Sequence, residues 1–284
     1  MQNENDFTTN EIRTWRPRAR ADLIGEKNRR KDDRWYRIAV ARLLPLIVLF
    51  IGPYGCGKSV RARLLVKIVR CRHRAADGTP CHKCDDCTRQ GPSFNDEGAV
   101  YTQYEINCHE YATKAKLQPL LDRVKSAERP VVFFDQFEGL NEKALRLLLT
   151  FLDNFKGVFV AAIADDDYRR LKQMIRTTPA LAPAFERMRK VYLHIPEVDE
   201  MVALFKSKAP EWGVIADDEA MLRLMVTASQ RSFRTCLDIL QAAEEDDPPV
   251  LDRATIEEFL TLDDAVPDED ALELDDDAAA DYPE

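Results

Sequence analysis

The sequence predicts an α/β fold built on a doubly wound parallel sheet, with a small helical unit behind it. Three observations carry that expectation. Short apolar runs alternate with helical patterns over residues 43–196. A glycine-rich loop stands between the first of those runs and the helix that follows it. From Val198 onward the strand signal stops and only helical periodicity remains.

The elements follow in order. After a basic opening segment over 1–42, residues 44–52 form a continuous apolar run ending in Gly52, as expected of a strand covered on both faces. The longest apolar stretch, 43–51, is interrupted by Pro45 and falls well short of the ~20 residues a membrane-spanning helix needs, so it reads as a buried strand. A helix is expected from Lys58 to about Val69. Residues 71–98 are rich in Cys, Gly, Asp and Pro and lack any period, so they read as an insertion held by something other than a hydrophobic core. Strands are expected over 100–106, 130–135, 157–164 and 190–195. Helices fill 114–127 and 141–153, the second capped by Asn141 and carrying Leu145, Leu148, Leu149 and Leu152 at helical spacing. Four further helical patterns, 200–207, 217–228, 233–244 and 254–262, make a lid over 197–262. The last segment, 263–284, has few large apolar residues, cannot offset its chain entropy and is expected to be disordered.

With 284 residues, 45% hydrophobic and 32% charged, the chain suits one α/β domain and a smaller helical one, and neither a fibrous nor a wholly disordered protein. The net charge of −9 hides an asymmetry. Residues 244–284 hold 18 acidic side chains and one arginine, a net −17, so residues 1–243 carry +8. A basic body attracts phosphates, and a plain solvated surface explains it equally well; the acidic tail repels nucleic acid or covers a basic surface. The first fifteen residues contain no apolar signal-peptide core, and the cytoplasm is the expected compartment.

Gly52, Pro53, Tyr54, Gly55, Cys56, Gly57, Lys58 and Ser59 fit G-x-x-x-x-G-K-[ST], with Val60 continuing into the helix. The strand before and helix after are the context this phosphate-binding loop requires. Glycines let backbone N–H groups curl around phosphates, Lys58 reaches the β and γ oxygens, and the Ser59 hydroxyl ligates Mg²⁺. The loop therefore makes 43–196 an ATP-binding domain. Asp135, ending the apolar run VVFF, is where a second Mg²⁺-holding carboxylate belongs. Gln136 follows it. An amide can hydrogen-bond a water but cannot take its proton, so slow hydrolysis is expected; Glu138 is a substitute of uncertain reach.

Cys71-x9-Cys81-x2-Cys84-x2-Cys87 places four thiols within seventeen residues. In a reducing compartment that pattern is expected of structural Zn²⁺, which would fold an insertion over 71–92 that has no core of its own. His73 and His82 lie nearby, but four cysteines already complete a tetrahedron. Cys56, Cys108 and Cys236 have no such spacing and read as small buried residues.

With these motifs in order, residues 15–244 resemble the clamp-loader AAA+ ATPases, especially the gamma/tau and delta-prime subunits of bacterial DNA polymerase III. Trp15-Arg16-Pro17 followed by Asp22-Leu23-Ile24-Gly25 is similar to the family's opening motif, which the resemblance puts beside the adenine. The four-cysteine module directly after the phosphate-loop helix is peculiar to that family, and Glu105-Ile106-Asn107 matches its Glu-Ile-Asp. Phe185-Glu186-Arg187-Met188 stands where the family has Ser-Arg-Cys, which makes Arg187 the arginine-finger candidate; the other reading is a surface cation beside Arg189 and Lys190. Ser232-Phe233-Arg234 resembles the sensor 2 motif, with Arg231 in place of its glycine, and implies that Arg234 folds onto bound nucleotide.

The departures are selective. Gln136 replaces the glutamate, and Ala161-Ala162-Ile163 occupies the sensor 1 region, where a polar side chain normally positions water. The tail replaces the family's helical collar. The resemblance implies ATP, Mg²⁺ and Zn²⁺ as ligands, and as partners other AAA+ subunits in a homo- or hetero-oligomer, a sliding clamp, and primed or double-stranded DNA, with no membrane. The leading expectation is a clamp-loader-like subunit in DNA replication. The alternatives are an ATP-dependent switch in transposition, a mobile element or defence, and a structural subunit that never turns over nucleotide.

Overall fold

The computed structural model describes residues 15–41, 46–84, 103–126, 130–178 and 182–264, together with Ile12 and Cys87. It divides into two compact units at Met201/Val202.

The first unit is built on five parallel strands: β1 (Leu46–Ile51), β2 (Gln103–Asn107), β3 (Val131–Asp135), β4 (Val158–Ile163) and β5 (Arg189–Tyr192). Their order across the sheet is β2-β3-β4-β1-β5. The register runs Leu46↔Val158 to Ile51↔Ile163 between β1 and β4, and Val131↔Val158 to Phe134↔Ala161 between β3 and β4. All six side chains of β1 and of β4 are buried, as a central parallel strand requires when both faces are covered. Side chains alternate faces. Ile47, Leu49 and Ile51 join one core with Phe134, Phe159 and the apolar faces of α3 (Lys114–Ser126), α4 (Glu142–Asp153) and α5 (Asp165–Thr177), where α6 (Ala182–Arg187) also contributes Phe185. Leu46, Val48 and Phe50 join the other with Phe133, Val160 and Val191, covered by α1 (Glu26–Val40) and α2 (Lys58–Arg70). The result is the expected three-layer α/β arrangement, and β4 separates the strand that feeds the glycine-rich loop from the strand that ends in Asp135.

Local signals explain the element ends. The Asn141 side chain accepts from Ala144 N–H at 2.9 Å and caps α4, a contribution of about 1 kcal/mol. The α1 helix was not legible as a helix: its buried face includes Asn28 and Asp32 as well as Trp35 and Ala39, so the apolar period is broken. The helix α5 carries Tyr168, Leu171 and Ile175 at helical spacing behind three aspartates.

The last strand was expected to reach residue 195 but ends at Tyr192. Leu193 N–H still donates to Ile51 O at 2.7 Å. At His194 the side chain of Asn28 takes over, donating to the His194 carbonyl at 2.8 Å and accepting from its N–H at 2.9 Å. The proposed strand residues 100–102, and the tail residues 265–284, lie outside the described residues.

The second unit holds most of α7 (Val198–Lys208), then α8 (Glu219–Ala228), α9 (Phe233–Glu245) and α10 (Arg253–Asp264). Its core gathers Phe205, Leu222, Met225, Val226, Leu237, Ile239, Leu240 and Ile256, with Phe205 and Phe233 rings 5.3 Å apart. Ser232 caps α9 by accepting from Thr235 N–H. No helix among the described residues is long and apolar enough to cross a membrane.

Candidate nucleotide-binding site

The glycine-rich loop leaves β1 at Gly52 and enters α2 at Lys58, the first residue of a helix whose N-terminal N–H groups favour anions. Its glycines are required by geometry. Gly55 and Gly57 have φ of +77° and +83°, a region that favours glycine. A Cβ on Gly52 would lie 2.7 Å from the Leu193 carbonyl, and one on Gly57 2.7 Å from the Arg61 guanidinium. Lys58 Nζ donates to the carbonyls of Gly52 and Pro53 at 2.8 and 2.9 Å and lies 5.2 Å from the exposed Tyr54 ring. Cys56 is buried and its thiol is pushed up by burial. Val60 is half-buried in the first turn of α2.

Ser59 Oγ donates to Asp135 Oδ1 at 2.8 Å, joining the loop side of the sheet to the end of β3. The other Asp135 oxygen lies 3.2 Å from Arg63, which also binds Glu105 of β2 at 2.6 Å. Hard oxygens at the end of a phosphate loop are the donor chemistry that Mg²⁺ takes. Gln136 is exposed with φ +52°, and its N–H donates to Asp135 Oδ1. Ala161, Ala162 and Ile163 are all buried on β4 between the two motifs, so this strand end offers no side-chain hydrogen bond.

Sequence reasoning missed Arg61. This buried guanidinium binds Asp32 of α1 through two bonds of 2.8 and 2.9 Å, and donates to the Cys56 carbonyl at 3.1 Å and the Ile24 carbonyl at 2.9 Å. One side chain therefore fastens the glycine-rich loop, α1 and the Leu23-Ile24-Gly25 turn together. The signal was available: an arginine in a helix face otherwise made of Ala62, Leu65 and Val66 needs an internal partner.

Trp15 is half-buried and Arg16 exposed in the opening segment. Arg187 ends α6, where its Nη1 donates to the Asp153 carbonyl at 2.8 Å and half its side chain remains exposed. Arg234 is exposed on the first turn of α9 in the helical unit. Arg231, in the position of the resembled motif's glycine, has φ +62°, the conformation for which glycine is favoured.

The four sulfurs of Cys71, Cys81, Cys84 and Cys87 lie within 4.8 Å of one another. Cys84 and Cys87 Sγ are 3.5 Å apart, and Cys81 and Cys87 Sγ 3.9 Å. A tetrahedron with Zn–S bonds of about 2.3 Å has edges of about 3.8 Å, so the donor set fits zinc. Backbone N–H groups of Lys83 and Cys84 pull the Cys81 thiol down to about 6, which favours the thiolate that ligation requires. The module docks on α1 and the opening segment: Arg74 donates to the Val40 carbonyl at 3.0 Å, and His82 Nε2 is 2.7 Å from the Arg18 carbonyl.

Comparison with known proteins agrees with this architecture. Residues 48–193, just over half the chain, match the family described as ATPase family associated with various cellular activities (AAA). Among curated proteins, DNA polymerase III subunit tau of Bacillus subtilis (strain 168) is 26% identical over 145 residues, covering 50% of this chain and 24% of that protein. The chain thus spans about a quarter of that relative's length. Among solved structures, the Thermotoga maritima RuvB Holliday junction branch migration motor superposes with a TM-score of 0.59 at 14% identity, over 89% of this chain and 73% of that one. A variant of the same RuvB gives a TM-score of 0.58 at 17% identity, over 87% and 73% of the two chains. At such identities the likeness to RuvB is one of fold. The family match and the geometry of the loop, Ser59 and Asp135 agree: this chain belongs to the AAA family of ATPases, a family that works with a nucleotide and Mg²⁺.

Proposed function

We propose that this chain is a clamp-loader-type ATPase subunit acting in DNA replication, which binds ATP at the loop 52–59 and hydrolyses it slowly. The observation that carries the reading is the pairing of a complete phosphate loop with a four-cysteine module packed directly behind its helix. The similarity to DNA polymerase III subunit tau supports it. In this reading Gly52 to Gly57 cradle the phosphates, Lys58 neutralises the β and γ oxygens, and Ser59 with Asp135 holds Mg²⁺. The metal, when bound, neutralises developing charge on the phosphates. Cys71, Cys81, Cys84 and Cys87 hold Zn²⁺ as a structural staple. Trp15 and Arg16 flank the base, and Arg234 is the proposed sensor 2 arginine.

AAA proteins commonly assemble, and a subunit with an intact loop and a weak hydrolytic side suits a switch whose ATP-bound assembly persists. Arg187 is proposed to serve a neighbouring subunit's ATP, exchanging its Asp153 contact for phosphate. The proposed partners are other AAA+ subunits, a sliding clamp and primed or double-stranded DNA.

The test is affinity purification from the native host with ATP and Mg²⁺ present, followed by mass spectrometry. Sliding clamp and polymerase subunits are expected, and Lys58→Ala is expected to lose them. Recovery of a recombinase or nuclease without replication proteins would overturn the reading.

A further inference from the structure

The end of β3 does not continue as a strand. Gln136 adopts φ +52° and ψ +54°, and Phe137–Gly139 close a single 3-10 turn in which Gly139 N–H donates to the Gln136 carbonyl at 2.9 Å. This reversal breaks the alternation of faces that an extended chain would impose. It exposes Gln136, buries Phe137 against Phe134 and Phe159 at 6.4 and 6.3 Å, and leaves Glu138 half-buried. One Glu138 oxygen, Oε2, is fully buried without a hydrogen-bond partner among the described residues.

Glu138 lies within electrostatic reach of the phosphate loop. Its charge is opposed by Lys58 of the phosphate loop and by His109 after β2, and reinforced by Asp167 of α5. Burial, with the Glu138 charge adding to it, raises the phenol of Tyr54 in the loop and the thiol of Cys108. A carboxylate oxygen held dry and unpaired is unfavourable as a purely structural device, because burial of an unsatisfied charged group opposes folding. Asp135, by contrast, has both oxygens engaged by Ser59, Gln136 N–H and Arg63.

We infer that Glu138 is the carboxylate that orients and deprotonates the attacking water in ATP hydrolysis, the task residue 136 cannot perform. The inference rests on the reading of 52–59 as an ATP site. In the step, the water oxygen bonds to the γ-phosphorus while the bond from that phosphorus to the β–γ bridging oxygen breaks. The water proton passes to Glu138, and ADP and phosphate leave; Glu138 then returns the proton to solvent. Burial pushes the Glu138 carboxyl up, with Asp167 adding to it, against a hydrogen bond from its own backbone N–H and the opposing pull of Lys58 and His109. A base that titrates nearer neutrality than an ordinary glutamate accepts a proton more effectively.

Gly139 is the matching positioning residue. A Cβ there would lie 2.7 Å from His109 N and 2.9 Å from the Cys108 carbonyl carbon, so the turn sits where it does because residue 139 has no side chain.

The test is single-turnover hydrolysis of ATP with Mg²⁺ by the full chain from pH 5 to 9, alongside the affinity for a fluorescent ATP analogue. Glu138→Gln is expected to slow hydrolysis about a hundredfold or more, to remove the acid limb of the pH–rate profile, and to leave affinity within about threefold. Gln136→Ala is expected to keep that limb. Gly139→Ala is expected to lower the hydrolysis rate at unchanged affinity. Nucleotide affinity verifies that each variant is folded. If the wild-type chain binds no ATP, the ATP-site reading and this inference fall together. If it binds ATP and either hydrolyses none of it or hydrolyses it undiminished as Glu138→Gln, this inference alone is overturned.

Discussion

Ser59 Oγ and Asp135 Oδ1 are hydrogen-bonded at 2.8 Å although the strands that lead to them, β1 and β3, are not neighbours in the sheet. The bond spans the end of β4 and sets the position at which Mg²⁺ would be shared between loop and carboxylate. Asp135→Asn and Ser59→Ala are each expected to weaken ATP-analogue binding in Mg²⁺ by about tenfold, in line with roughly 1.4 kcal/mol for one charge-assisted contact. Titration in EDTA should show little difference from wild type. An equal loss with and without Mg²⁺ would mean that the pair holds the fold and not the metal.

Arg61 and Asp32 form a buried ion pair in which each charge depends on the other. Removing one partner strands the second in a low-dielectric interior, at a cost of about 3–5 kcal/mol. Arg61→Met and Asp32→Leu should each lower the urea midpoint sharply, and the double variant should recover part of the loss. Additive losses would contradict the pairing.

The cysteine module predicts one zinc per chain, measured by elemental analysis of protein purified without added metal. Cys84→Ser, or treatment with a strong chelator, should lower zinc content and expose the 71–87 region to limited proteolysis, since little apolar burial there would remain to order it. Zinc-free protein with an unchanged cleavage pattern would show that the thiols and backbone alone hold the module.

Arg187 ends α6 with half its side chain exposed and is held by Asp153. Arg187→Ala should leave nucleotide affinity of the isolated chain unchanged and slow turnover at least tenfold in the assembled oligomer, where a finger acts on the neighbour. Equal turnover in the assembly would return it to the role of a surface cation.

Much of this was legible in the sequence because it depends on local pattern. The buried runs of β1 and β4, the glycine loop, the Asn141 cap and the cysteine spacing each declare themselves within a few residues. What was not legible depends on partners far apart in the chain. Asn28 and Asp32 look like solvated positions of a charged helix until His194 and Arg61 meet them. The reach of Glu138 is uncertain from the sequence because it depends on how the chain leaves β3; the left-handed conformation of Gln136 and the 3-10 turn over Phe137–Gly139 decide where residue 138 lies. The last strand was read too long for a related reason, since apolar residues 193 and 195 continue the alternation after the pairing has passed to a side chain.

That substitution of a side chain for a strand bears on how the molecule can associate. β5 is an edge strand, and edges with free backbone groups invite strand addition by other chains. Here the outward carbonyl of Tyr192 accepts from Lys31, and both backbone groups of His194 are occupied by Asn28. The end of this edge is closed by its own first helix, so subunits meeting there must recognise one another through side chains and not through an extended sheet. Asn28→Ala would reopen it, and a tendency to aggregate at elevated protein concentration is the behaviour to expect.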